Sequence, residues 1–219
     1  MMGVKFGAYH SRTNFGLDYL HKEIESPEPK YTTVNIPLVH GDLDLTERLT
    51  GPDPVFNTRK LTFNFEMRSM RSSWITDHAD IMSKLHGRIL NVELDEDPGY
   101  YWRGRVTVGP IEDHGFTAGI QIQVDAFPFK WSKTPELEGS YTLSGGSTTI
   151  TISITSIIAK PVFDFALLNN VEVTYNNQVF VASPTIKTPP GLLFKKGNNQ
   201  SLILKGSGAV MMDVYGGVL

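Results

Sequence analysis

The chain has 219 residues, 40% of them hydrophobic and 20% charged, with a formal net charge of −3. That balance specifies a globular chain long enough for one large or two modest domains, and it excludes the basic field that gripping nucleic acid requires. The absence of cysteine excludes a disulfide framework and any thiolate metal site, and it fits a reducing compartment. The opening residues Met1-Met2-Gly3-Val4-Lys5-Phe6 lack the apolar centre of a signal peptide. No window approaches the ~18 apolar residues of a spanning helix. The expectation is a protein made and first retained in the cytoplasm, with no membrane insertion.

Leu17, Leu20 and Ile24 fit a short helix or a strand equally well. Val34 and Ile36 suggest a strand that ends at Pro37. Leu61, Phe63, Phe65 and Met67 alternate with polar residues, the period of a strand with one buried face. The rhythm then changes. Trp74, His78, Ile81 and Leu85 lie on one helical stripe, with Ile75 and Met82 beside it. Ser72 or Ser73 can cap its start, Lys84 and His86 suit its last turn, and Gly87 suits a left-handed stop, so a helix is predicted over 73–86. Segments 88–94 and 100–108 flank Asp95-Glu96-Asp97-Pro98-Gly99 and read as a hairpin. Phe116, Ala118, Ile120, Ile122, Val124 and Ala126 form the clearest alternating run.

Phe127-Pro128-Phe129 through Pro135 carries two prolines and marks a boundary, which divides the chain into domains 1–131 and 132–219. Beyond it, Ile150/Ile152/Ile154, Val171/Val173/Tyr175, Val179/Val181, Leu202/Leu204 and Val210/Met212/Val214 read as short strands. The clusters Ser144-Gly145-Gly146, Asn176-Asn177, Lys196-Gly197-Asn198-Asn199 and Gly206-Ser207-Gly208 read as the turns between them. The fold class is therefore mostly β with one clear helix: a β-barrel or sheet domain with a packed helix, then a C-terminal β-sandwich of jelly-roll type.

No constellation points to catalysis. His10, His21, His40, His78, His86 and His114 form neither HxH nor HExxH spacing. His78 sits within an apolar stripe, where a structural histidine is the plain reading. Asp95, Glu96 and Asp97 lack the spaced ligands of a calcium loop, and Asp42 with Asp44 lacks a tuned partner for two-carboxylate hydrolysis. Gly206-Ser207-Gly208 matches neither a nucleophile elbow nor a phosphate loop. No enzymatic activity, no catalytic or metal residue and no cofactor are expected. The aromatics Tyr141, Phe163, Phe165, Tyr175, Phe180, Phe194 and Tyr215 leave a carbohydrate-binding module on a scaffold domain as the alternative, although Tyr175 shares its face with Val171 and Val173 and reads as core.

An ordered set of local patterns resembles one family. The set comprises Pro27-Glu28-Pro29-Lys30, Val34-Asn35-Ile36-Pro37, Gly41 to Glu47, Phe56 to Phe63, Leu85-His86-Gly87-Arg88, Asp97 to Arg105 and Asp125 to Lys130. Together they resemble the distal tail proteins (Dit) of long-tailed, siphovirus-type bacteriophages and prophages of Gram-positive hosts. Leu38 stands where the family usually has a glycine. The resemblance implies a homohexameric ring at the virion tail tip or baseplate, assembled in the host cytoplasm. It implies that the ring joins the major tail tube protein to the tail-associated lysin, tail fibre or baseplate proteins of the host-adsorption apparatus. It also implies a galectin-like second domain on the outside, in reach of host cell-wall carbohydrate. On this reading 1–131 carries ring formation, 132–219 is an outer sandwich, and strands near 59–68 and 116–126 pair edge to edge between subunits.

Overall fold

The structure, a computed structural model, describes residues 2–38, 40–46, 53–166 and 170–219. Glu47, within one of the family-like patterns, lies outside the described residues. Two compact units divide between Pro128 and Phe129.

The first unit is built on antiparallel strands. Strand β1 (Val4–Phe6) pairs with β2 (Tyr9–His10), and a short helix α1 (Ser11–Phe15) follows. The segment that sequence left open is strand β3 (Leu17–Ile24), and it pairs with β6 (Arg59–Met67). Between them, β4 (Thr33–Asn35) and β5 (Asp42–Asp44) pair only with each other. After the helix α2 (Trp74–Leu85) come β7 (Ile89–Leu94), β8 (Tyr100–Asp113) and β9 (Ala118–Ala126). β9 pairs with both β6 and β8, and β7 joins β8 to β1. The alternating face of β6 and β9 is buried as its period requires: Leu61, Phe63, Phe65, Ile120, Ile122 and Val124 meet Val4, Phe6, Val106 and Leu85 in one core.

Helix α2 agrees with the predicted 73–86 to within a residue at each end and is preceded by a 3₁₀ turn at Arg71–Ser73. Trp74 is 5% exposed, and its indole N–H donates to the Ser69 carbonyl at 3.0 Å. Ser73 does not cap the helix; its hydroxyl bonds the Met70 carbonyl and Asp77 instead. Gly87 takes the left-handed φ of 74° that stops the helix. Ile75 lies on the exposed side of the helix.

Two expectations are corrected. Phe116 does not belong to the buried run: the strand begins at Ala118, because Gly115 turns at φ 89° and His114 N–H closes on the Thr117 carbonyl, which leaves Phe116 102% exposed. Nor can 59–68 and 116–126 offer free edges to a neighbour. β6 is bonded by β3 and β9, and β9 by β6 and β8, so both strands are interior.

In the second unit, β10 (Lys130–Ser132) pairs with the end of β14 (Phe194–Val218). Most of the unit consists of β14, of 25 residues, and a still longer strand, β11 (Leu137–Phe165), of 29. β12 (Val171–Tyr175) pairs with β14 and with β13 (Gln178–Ala182). Asn176 and Asn177, both at positive φ, make the tight β12–β13 turn as expected. None of the three glycine-bearing clusters is a turn: Lys196 to Asn199 lies within β14, and the other two lie within the paired long strands. Ser144 faces Ser207 and Ser147 faces Lys205, so Gly145 (φ 90°) and Gly208 (φ 101°) lie at a bulged corner inside continuous paired strands. A bulge bends a strand without ending it, so each long strand contributes to two layers. Residues from both halves, including Leu143, Ile152, Phe163, Phe194, Leu204 and Met212, share one core.

Two substitutions test this packing. Trp74→Ala is expected to lower unfolding free energy by about 3–5 kcal/mol in denaturant titration; an unchanged value would place the indole outside the core. A Cβ on Gly104 would stand 2.5 Å from the Asp125 carbonyl oxygen and 2.7 Å from Ala126 Cα, with no mobile side chain to give way. Gly104→Ala is therefore expected to cost about 1–3 kcal/mol.

Candidate docking surfaces

Between Ile24 and Arg59 the chain leaves the core, forms a two-stranded arm, and returns. The Ile24–Leu61 pair is the last rung of the β3–β6 ladder. Beyond it, Asn57 N–H donates to the Glu28 carbonyl and Lys30 N–H to the Val55 carbonyl, before β4 and β5 continue the ribbon. Val34 lies opposite Leu43 on one face, with Ile36 next along it. Thr33, Asn35, Asp42 and Asp44 make the other face, where Asn35 Nδ2 donates to Asp42 Oδ1 at 3.0 Å. None of the described residues of 25–58 is buried, and Val34, Ile36 and Leu43 on the apolar face are 44%, 38% and 46% exposed. At the tip, Leu38 is fully exposed and holds a left-handed φ of 69°.

Arg59 fixes the root of this arm. It is 9% exposed, and its guanidinium donates to the Glu25 carbonyl at 2.8 Å and to the Pro128 carbonyl at 3.1 Å. Burial lowers its pKa, yet arginine stays charged in proteins. One planar fork thus ties the start of the arm to the end of the first unit.

At the far end of the same ladder lies an open groove of about 440 Å³, lined by Met2, Arg12, Asp18, Tyr19, Leu20 and Arg68. Arg68 Nε donates to Asp18 Oδ2 at 2.5 Å. The Tyr19 ring packs edge-on to Phe65 at 5.9 Å, and burial raises its phenol pKa. Tyr19 pairs with Phe65 and His21 with Asn64, so Leu20 is the extra residue of a bulge, with its side chain exposed.

Met70, Ile75 and Phe116 are further exposed apolar side chains, each next in sequence to a residue that Arg71 touches or to Arg71 itself. The Arg71 guanidinium reaches Asp113 Oδ2 at 2.5 Å and the Gly115 carbonyl at 3.3 Å, and lies 5.6 Å from the Trp74 ring.

The residues examined for chemistry are dispersed. His10 Nδ1 accepts the Arg12 N–H at 3.2 Å to cap α1, and its Nε2 lies 3.1 Å from Asp95. His21 meets Asn64, His78 Nε2 meets the Gly109 carbonyl at 2.8 Å, and His86 Nδ1 accepts the Val108 N–H. His40 is exposed in the arm, and His114 is 3.7 Å from Glu112. Glu96 pairs with Lys22. Hydrogen bonds from Thr46 hold the exposed Asp44 carboxyl below its ordinary pKa, the opposite of what a general acid needs. Among the described residues, no three His, Asp or Glu side chains converge as a metal site. No described helix is long and apolar enough to cross a membrane.

Of the second-unit aromatics, Phe163, Phe194 and Tyr175 are buried, with the Tyr175 hydroxyl 2.5 Å from Gln200 Oε1. Tyr141, Phe165 and Phe180 pack partly against the same core. Tyr215 is half-covered on an outer face; burial raises its pKa first, and Asp213, Glu138 and Asp164 add to the effect. The flat exposed platform on which a sugar would stack is not formed by these side chains.

Neither a family model nor a curated protein sequence matches the chain. The fold does have a counterpart among solved structures. The crystal structure of SPP1 Dit (gp 19.1), described as a paradigm of the hub adsorption apparatus in Gram-positive-infecting phages, superposes with a TM-score of 0.57 over 100% of both chains, at 11% sequence identity. This chain has the Dit fold. The likeness extends over the residues of both units of this chain.

The arm was legible only as a strand; that its residues are exposed became visible in three dimensions. Leu20 was seen as one of an ambiguous trio, and its bulge leaves no sequence signal. Arg59 lay inside a family-like pattern without a role. Its fork is expected to matter for stability: Arg59→Met should cost about 1.5–3 kcal/mol by thermal denaturation, and Arg59→Lys should recover little of that, because a single ammonium cannot span both carbonyls. Full stability in Arg59→Lys would show that the fork is dispensable.

Proposed function

We propose that this chain is a structural hub subunit of a phage tail tip, closing into a homohexameric ring that joins the tail tube protein to the tail-associated lysin, fibre or baseplate proteins. The observation that carries this reading is the end-to-end likeness of fold to SPP1 Dit. A tail hub works by docking, which requires surfaces rather than a reaction centre. The first unit supplies exposed apolar side chains in the arm, in the groove and at Met70, Ile75 and Phe116. Exposed apolar surface of this kind on a soluble chain marks contact with partners.

Residues 1–131 carry ring formation in this proposal, and 132–219 lie outside the ring. The working location is the virion tail tip, after assembly in the host cytoplasm. The chain acts there as a scaffold and not as an enzyme.

Light scattering on the purified full chain over rising concentration tests the reading. The subunit is 24.4 kDa, and the expected result is a shift from that mass to six times it. A monomer at every concentration would overturn the ring. For the division of labour, a fragment cut at the unit boundary, 1–128, is expected to assemble while 129–219 stays monomeric; the reverse outcome would overturn it.

A further inference from the structure

We propose that Leu38, at the tip of the arm, seats in the groove beside Leu20 on a second copy of this chain, so that copies join head to tail. The contact deepens the hub reading and rests on it only for closure of the ring.

The donor is odd unless it is used. Leu38 has the φ of 69° that glycine adopts freely and a leucine does not, and its side chain reaches only solvent within its own chain. Strain combined with an exposed apolar side chain is costly twice over in an isolated subunit. Such a position makes sense where a partner covers it.

The acceptor is shaped for an apolar tip with acidic flanks. The bulge at Leu20 turns a leucine out of the ladder into the groove, where Met2 is also exposed. Arg68 and Asp18 pair with each other in the groove, so Arg12 supplies its net positive charge. On the arm, Asp42 and Asp44 follow the tip closely, and both are exposed. Charge therefore complements shape. The volume of about 440 Å³ falls in the ~300–1,000 Å³ range of clefts that enclose a ligand.

Polarity of the ladder makes the occupant a second copy. The arm leaves at the Ile24–Leu61 rung, whereas the groove lies at the Leu17–Met67 end. From the arm's root at Ile24, Leu20 lies four residues back along β3, about 13 Å at ~3.3 Å per residue. The arm carries on from the rung as a ribbon whose described strands, β4 and β5, pair only with each other and are exposed. Donor and acceptor thus lie apart in the first unit, the arm beyond the Ile24–Leu61 rung and the groove toward Leu17–Met67, the arrangement that gives a heterologous contact and, when the rotation closes, a ring.

Two variants of the full chain separate the parts. Leu38→Gly relieves the left-handed backbone, so the monomer is expected to keep its thermal midpoint. Its threshold concentration for assembly is expected to rise about 10- to 100-fold, the factor for one leucine side chain no longer buried. Leu20→Arg, at an exposed position, is expected to do the same from the other side. Mixing the two leaves one working arm and one working groove, and should give a one-to-one dimer that goes no further. Wild-type assembly at the old threshold by Leu38→Gly would overturn the anchor, and failure of the mixture to dimerise would overturn the groove. Because the chain has no cysteine, Leu38→Cys together with Leu20→Cys in one chain should give a ladder of disulfide-linked multimers on oxidation. Assembly of wild type without that ladder would sink this contact while sparing the hub reading; a wild type that never assembles would sink both.

Discussion

A two-stranded ribbon with one apolar face cannot satisfy itself in water. Isolated hairpins are marginal at best, because a single layer has nothing to bury its side chains against. The arm rooted at Ile24 and Leu61 is such a ribbon, with Val34, Ile36 and Leu43 exposed on one face and no buried residue among those described in it. The rest of the first unit is organised around presenting it. The β3–β6–β9–β8 sheet is closed to further pairing at β6 and β9, α2 and its Trp74 lock the sheet from one side, and Arg59 pins the root. A rigid body with one unsatisfied projection is a part built to be completed by something else.

The second unit solves the same problem by itself. Its two long strands bend at the Gly145 and Gly208 corner and fold over their own apolar faces, so one cluster of side chains is buried without outside help. The aromatic residues that could have faced outward as a sugar platform are spent on that core, or lie half-covered beside acidic neighbours such as Asp213. The contrast matters for function. One unit is incomplete alone and the other is complete, which suits a division between assembly and display.

Periodicity made the buried elements legible. The alternation of Leu61 to Met67 and of Ile120 to Ala126, and the 3–4 spacing of Trp74 to Leu85, come from burial on one face, and each emerged as read. Where burial does not govern, the signal misleads. Phe116 continued an alternating run and is solvent-exposed, because Gly115 ends the strand's geometry before its hydrophobic pattern ends. The glycines at 145–146 and 206–208 resembled turns, since a bulge and a turn need the same backbone freedom. Helix α1 is too short for any period, and its cap is a histidine, outside the usual capping set. The docking surfaces were the least legible: Val34 and Ile36 read as a strand that ends at Pro37, and only the structure shows its residues exposed on both faces.

The central claim is that the arm is unfinished in the monomer and finished by a neighbour. Amide hydrogen exchange on the full chain, followed at concentrations below and above assembly, measures this at the residues concerned. The account predicts that the amides of 33–35 and 42–44 exchange freely in the dilute subunit and become protected as mass rises, while those of β6 and β9 are protected throughout. Protection of the arm already present in the dilute monomer, or an arm that stays unprotected in the assembled state, would contradict it.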